Sequence, residues 1–320
     1  VLFTGGAAVH RLAAAAHAGA AAAAAALKCI PYKIVLDHGD RVMSLKIHHF
    51  NCGTMCPHGK RLINGHGGLF ECAEMCCHCL LIESADGLVL VDTGLGSGDV
   101  RDPAHLGGAF RAITRPRLQL EETALHQVQA LGFTPQDVRH IVVTHLDLDH
   151  AGGLPDFPAA QVHVFKPEQQ AALARPTLGE KGRYRPAHFA HQPRWVLHEA
   201  AGERWMGFDS IRALPGSGDE ILLVPLTGHT RGHCGVAVNA DGADGAGWLM
   251  HCGDAYFYHD EVNPQQPYCT PGLRLFQNLV QIDGTQRRAN QARLLQLARS
   301  HGGEVSLFCA HDPVELARYG

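Results

Sequence analysis

From Met43 onward, short apolar and β-branched runs that read as strands alternate with stretches of helical spacing. Residues 79–84 and 88–92 read as two strands around the turn Ala85-Asp86-Gly87. Leu118, Leu120, Leu125, Val128 and Leu131 are spaced for one face of an amphipathic helix over 118–132. A β-branched strand at 138–144 runs straight into a histidine-rich segment. Further strands are expected at 162–165, 221–225, 236–239, 248–252 and 305–309, with helices at 168–174 and 286–300. Strands and helices interleave, so the chain is α/β. Residues 50–78 carry glycines and no periodicity, which predicts a loop, placed over the functional site.

Composition sharpens this in three places. A length of 320 residues with 46% hydrophobic content can bury one large core or two modest ones. The net charge of −4, with no block of Lys and Arg, argues against nucleic acid as a partner. The 11 cysteines are not needed as staples in a chain of this size, so a reduced, cytoplasmic setting is expected. Residues 1–42 look foreign to the rest. An alanine-rich run follows Arg11, and Met43 opens a segment that reads like a natural start. They are expected to be an extension outside the fold, with a signal peptide as the alternative, and 43–320 to form the functional domain. The alanine run is too short and too weakly apolar to span a membrane.

The 23 histidines make a metal site worth seeking. In Thr144-His145-Leu146-Asp147-Leu148-Asp149-His150-Ala151-Gly152-Gly153, four potential ligands fall within six residues, with leucines between them. The polar groups therefore share one side, and the glycines permit a sharp turn. A solvated acidic loop would explain the aspartates but not the flanking histidines. Three later segments each place a His or Asp after an expected strand: Gly228-His229 with His233, Gly253-Asp254 and Ala310-His311-Asp312. Strand ends converge in layered α/β folds, so these residues can meet.

With Val91-Asp92-Thr93-Gly94 added, the pattern over residues 79–311 resembles the metallo-β-lactamase superfamily, and within it the acyl-homoserine lactonase branch. The resemblance implies a four-layer αββα sandwich and two divalent ions, zinc first. His145, Asp147 and His229 would hold one ion and Asp149, His150 and His311 the other, with Asp254 bridging. The sequence departs from the family at Asp147, where histidine is usual. A charged oxygen there makes the donor set one unit more negative and favours harder ions, so iron or manganese is the second choice.

The implied reaction is attack by a metal-bound hydroxide on an ester or lactone carbonyl, with Asp149 passing the proton to the leaving group. Asp92 is either an orienter of a ligand histidine or a turn cap. Tyr256 or Tyr258 could donate to the substrate carbonyl, though wall or core positions suit aromatic residues as well. His48, His49, Cys52, Cys56, His58, Cys72, Cys76, Cys77 and Cys79 could form a structural zinc knot, but their spacing fits no standard pattern, and buried free cysteines are common. A small-molecule substrate is the expected partner, with no nucleic acid and no membrane; a homodimer stays open. The alternatives are a glyoxalase-II-type thioesterase, which would need a basic cluster not seen in the second half, and a diiron redox protein, whose flavin domain has no room after His311.

Overall fold

A computed structural model describes residues 45–84, 86–199, 202–214, 221–240 and 247–320. The expectations for residues 1–42, and the turn residue Ala85, lie outside them. Among the described residues, twelve strands form two six-stranded sheets. The first holds β1 (Lys46–Met55), β2 (Met75–Ser84), β3 (Gly87–Val91), β4 (Val138–Val142), β5 (Gln161–Phe165) and β6 (Arg194–His198), side by side in that order. The second holds β7 (Glu203–Trp205), β8 (Phe208–Arg212), β9 (Ile221–Pro225), β10 (Cys234–Asn239), β11 (Trp248–His251) and β12 (Val305–Phe308), also in sequence order. β1 to β3 pair antiparallel and β3 to β6 parallel. The second sheet is antiparallel except for the parallel β11–β12 pair.

The period of two along each strand builds the layers. Leu80, Ile82, Val89 and Val91 meet Ile221, Leu223, Val236 and Val238 between the sheets. Their neighbours Leu81, Leu88 and Leu90 face the opposite way and pack with Val128 and Ala171 of the helices. Leu222, Val224 and Met250 on the outer face of the second sheet meet Leu294 and Leu297 of the helix Gly284–His301. The order is helix, sheet, sheet, helix: the four-layer αββα arrangement.

Two expectations are corrected. Residues 50–78 are not one loop. Their ends are strand: β1 runs to Met55 and β2 starts at Met75, with register pairs Phe50–Cys79 and Asn51–His78. The first eight residues of β2, Met75 to Ile82, are buried. A strand covered on both faces shows no alternation, and cysteine serves there as a small apolar residue. The predicted helix over 118–132 is shorter, Ala124–Ala130, capped by Thr123 accepting from the His126 N–H. Among the described residues no helix is long and apolar enough to cross a membrane.

Candidate metal centre

The site lies where strand ends from both sheets meet. β4 ends at Val142 and the chain turns into the helix Leu148–Ala151, with Asp147 at its N-cap. Asp254 follows β11 and His311 follows β12. His229 lies in the loop between β9 and β10. Glu168, fully buried, ties two of these loops together by accepting from the Leu146 and Gly232 N–H groups at 3.0 and 2.9 Å. Gly152 and Gly153 have ordinary φ of −59° and −85°, so a special turn is not their role. They allow close approach: a Cβ at Gly152 would strike the Asp99 carboxylate and the Gly94 carbonyl, and one at Gly153 would strike Thr93.

All seven residues expected as donors come together. Ligand atoms of His145, Asp147 and His229 lie within 4.8 Å of one another, as do those of His145, His150 and Asp254. The two oxygens of Asp254 are divided between the halves. Oδ1 lies 3.3 Å from His150 Nε2 and 3.1 Å from His311 Nε2. Oδ2 lies 3.7 Å from His145 Nε2 and 3.4 Å from His229 Nε2. Asp149 Oδ2 is 3.7 Å from His311 Nε2.

The surroundings set which ring nitrogen is free. His150 Nδ1–H donates to Asp92 Oδ2 at 2.8 Å, and His311 Nδ1–H donates to the Cys76 carbonyl at 2.7 Å. Both therefore aim Nε2 at Asp254. Asp92 also accepts from the Thr144 N–H and hydroxyl, each at 2.7 Å, and holds a left-handed φ of 57°. It thereby fixes the orientation of the His150 ring. His233, at a neighbouring position, accepts from the Asp254 N–H at 2.9 Å and donates from Nδ1 to the Leu226 carbonyl. It positions Asp254.

These atoms fit divalent cations. His145 Nε2 and Asp254 Oδ1 are buried with no hydrogen-bond partner among the described residues. Lone pairs of histidine nitrogens facing carboxylate oxygens repel, unless a cation lies between them or the rings are protonated. Burial works against protonated rings here, but Asp254 and Asp92 push the His150 pKa well up, and Asp254 raises that of His311. The field at the site thus favours positive charge.

Two neighbours of the donors were not anticipated. Arg183, at the end of the helix Leu178–Arg183, places Nε 3.2 Å from Asp147 Oδ1 and donates to the His229 and Val280 carbonyls at 3.0 and 2.9 Å. Burial alone would raise the Asp147 pKa, but Arg183 and His145 hold it well below the usual carboxylate range. Burial and Arg183 together press His229 down to about 4. Phe257 stacks on His311 with ring centres 5.3 Å apart, lies 6.1 Å from His229, and meets Phe276 edge-on. The apolar wall is thus the residue between the two tyrosines singled out in the sequence.

The tyrosines point elsewhere. Tyr256 is fully buried against the outer face of the second sheet, and its hydroxyl donates to Glu315. Tyr258 is half-buried, with its hydroxyl over Gly65 and its ring beside His259 and Tyr268. Neither makes a hydrogen bond or ring contact with the seven donors, so the oxyanion role expected for them is not supported. Successive residues of an extended segment point to opposite sides, and Phe257 took the site-facing one. The cysteine-rich segment forms no zinc knot among the described residues; only Cys77 joins a ligand cluster, with Asp149 and His311. The second half does assemble a basic cluster, with Arg274, Arg287 and Arg288 around a cavity of about 300 Å³ beside Glu261 and Gln277.

Known proteins resemble this chain in sequence and in fold. Residues 76–244 match the model of the metallo-beta-lactamase superfamily. A probable metallo-hydrolase of Mycobacterium tuberculosis is 43% identical over 278 residues, covering 86% of this chain and 83% of that one. An N-acyl homoserine lactonase of Bacillus thuringiensis is 33% identical over 98 residues, 30% of this chain and 39% of that one. A solved B. thuringiensis AiiA variant with N-decanoyl-L-homoserine at its active site superposes with a TM-score of 0.63 at 20% identity, over 86% of this chain and 97% of that one. The chain belongs to the metallo-β-lactamase superfamily of metal-dependent hydrolases.

Proposed function

We propose that this protein hydrolyses an ester or lactone at a centre of two divalent cations. His145, Asp147 and His229 hold one ion, Asp149, His150 and His311 the other, and Asp254 bridges them. The observation that carries this reading is the division of the Asp254 oxygens, one facing each histidine pair. When bound, two such ions acidify a shared water and polarise a substrate carbonyl. The protein's own groups do the rest. Asp92, the Cys76 carbonyl and His233 fix the donors, so little reorganisation is needed. Asp149 has the most exposed carboxylate of the set, its side chain 13% accessible against 5% for Asp254, and can carry a proton to the leaving oxygen. Phe257 and Phe276 form an apolar wall suited to an acyl group.

A lactone is the first substrate class, supported by the likeness to a segment of an N-acyl homoserine lactonase and by the N-decanoyl-L-homoserine at the active site of the solved neighbour. Zinc is the first metal. Arg183 offsets the extra negative charge of Asp147, which removes much of the reason to prefer iron or manganese. The arginine-lined cavity favours a thioester with an anionic carrier as the second reading. Elemental analysis beside a panel of lactones, thioesters and phosphoesters tests the proposal. Two ions per chain and chelator-sensitive lactone or ester turnover are expected. A loaded enzyme active only on thioesters transfers the conclusion to the second reading, and a chain that binds no metal ends both.

A further inference from the structure

We propose that the Cys77 thiol is an additional donor to the ion held by Asp149, His150 and His311, so that this half of the centre contains sulfur. The inference rests on the two-ion reading above. Its observation is separate: ligand atoms of Cys77, Asp149 and His311 lie within 4.8 Å of one another. At zinc–sulfur and zinc–nitrogen bond lengths, donors sharing one ion sit roughly 3–4 Å apart, so a small contraction closes the cluster.

Local structure holds Cys77 there. It lies three residues into β2, and its N–H donates to Asn51 Oδ1 at 3.1 Å. The preceding carbonyl, of Cys76, accepts from His311 Nδ1, so the same strand orients His311 and presents the thiol beside it. A buried cysteine is often no more than a small apolar residue. Cys76, Cys234, Cys252 and Cys269 fit that description, each with a thiol donating to a backbone carbonyl. Cys77 is 2% exposed, and its thiol makes no hydrogen bond among the described residues. It faces a carboxylate and an imidazole instead. A second sign of a ligand is Asp254 Oδ1, which is buried without a hydrogen-bond partner among the described residues and faces His150 and His311.

On binding, the S–H bond breaks, the sulfur–metal bond forms and the proton leaves to water; no electrons are exchanged. The two halves then differ in kind. Asp147 supplies a hard oxygen to one ion, while Cys77 supplies a soft sulfur to the other, which favours zinc or cobalt there over manganese.

The test is cobalt(II) loading of the full-length chain, with absorption spectroscopy and metal stoichiometry, for wild type, Cys77→Ser and Cys77→Val. Wild type should bind two cobalt ions and show a sulfur-to-cobalt charge-transfer band in the near ultraviolet. A folded variant should lose the band and release its second ion at a lower chelator concentration. Two bound ions without the band in wild type overturn the proposal whatever the variants do, as does a band that survives in both variants. Failure of wild type to take up cobalt overturns the two-ion reading itself, and the proposal with it.

Discussion

Arg183 Nε lies 3.2 Å from Asp147 Oδ1, a charge pair between the end of a helix and the middle of the metal-binding motif. Their side chains are only 12% and 10% exposed. Asp147 replaces a histidine of the family pattern, and Arg183 supplies the opposite charge beside it. Removing one member of such a pair leaves a buried charge without compensation. Arg183→Met should therefore lower the stability of the metal-free protein by about 3 kcal/mol. Adding Asp147→His should recover part of the loss, giving a coupling of roughly 1–3 kcal/mol. Denaturant unfolding of the two single variants and the double variant measures it, and strictly additive losses would show that the two residues act independently.

Asp254→Ala should reduce bound metal from two ions to one or none and abolish hydrolysis, because each half loses the Asp254 oxygen that faces it. The check is metal content after dialysis against limiting chelator. A variant with two tightly held ions and full turnover would remove Asp254 from the centre.

Asp92→Asn should weaken one ion by roughly 10- to 100-fold. The Thr144 N–H needs an oxygen acceptor, so the amide oxygen must stay there and the NH2 group faces His150. His150 Nδ1 then has to accept, which puts the ring proton on Nε2, the atom aimed at Asp254. Titration with a competing chelator reads the change. Unchanged affinity would mean that Asp92 is only a turn residue.

Glu315 makes folding sensitive to pH outside the metal centre. Burial lifts its pKa from 4.5 to about 7, with Asp312 adding to the rise against the Cys309 N–H. The folded state therefore binds this proton more tightly than the unfolded state. The stability gained from it is complete below about pH 4.5 and is lost as pH rises through about 7. Glu315→Gln keeps an acceptor for the Cys309 and Tyr256 donors without the charge. Between pH 4.5 and 7.5 the variant should gain about 3 kcal/mol relative to wild type. Unfolding free energies across that range decide it, and a constant difference between the two chains would refute the shift.

What the sequence by itself determined is local. The β-branched and apolar runs placed β3, β9 and β12 almost to the residue, because a strand packed on both faces is written as an almost unbroken apolar run. His145, Asp147, Asp149 and His150 were legible as candidate donors because they share one short segment, and His229, Asp254 and His311 because each follows a strand. Only the tertiary structure decided what faces those donors. Arg183 is 36 positions from Asp147 in the chain, and nothing in the segment around it marks it as a counter-charge. Cys77 reads as one cysteine among several until β2 is laid against the loop after β12, where the Cys76 carbonyl meets His311. The same limit governs the aromatic residues after Asp254. Composition showed three in a row, but which one turned to the site depended on Glu315 drawing the Tyr256 hydroxyl away on the far side of the sheet. Pattern reports which residues lie on one face of an element; which charge or ring ends up opposite is settled by packing between elements distant in sequence.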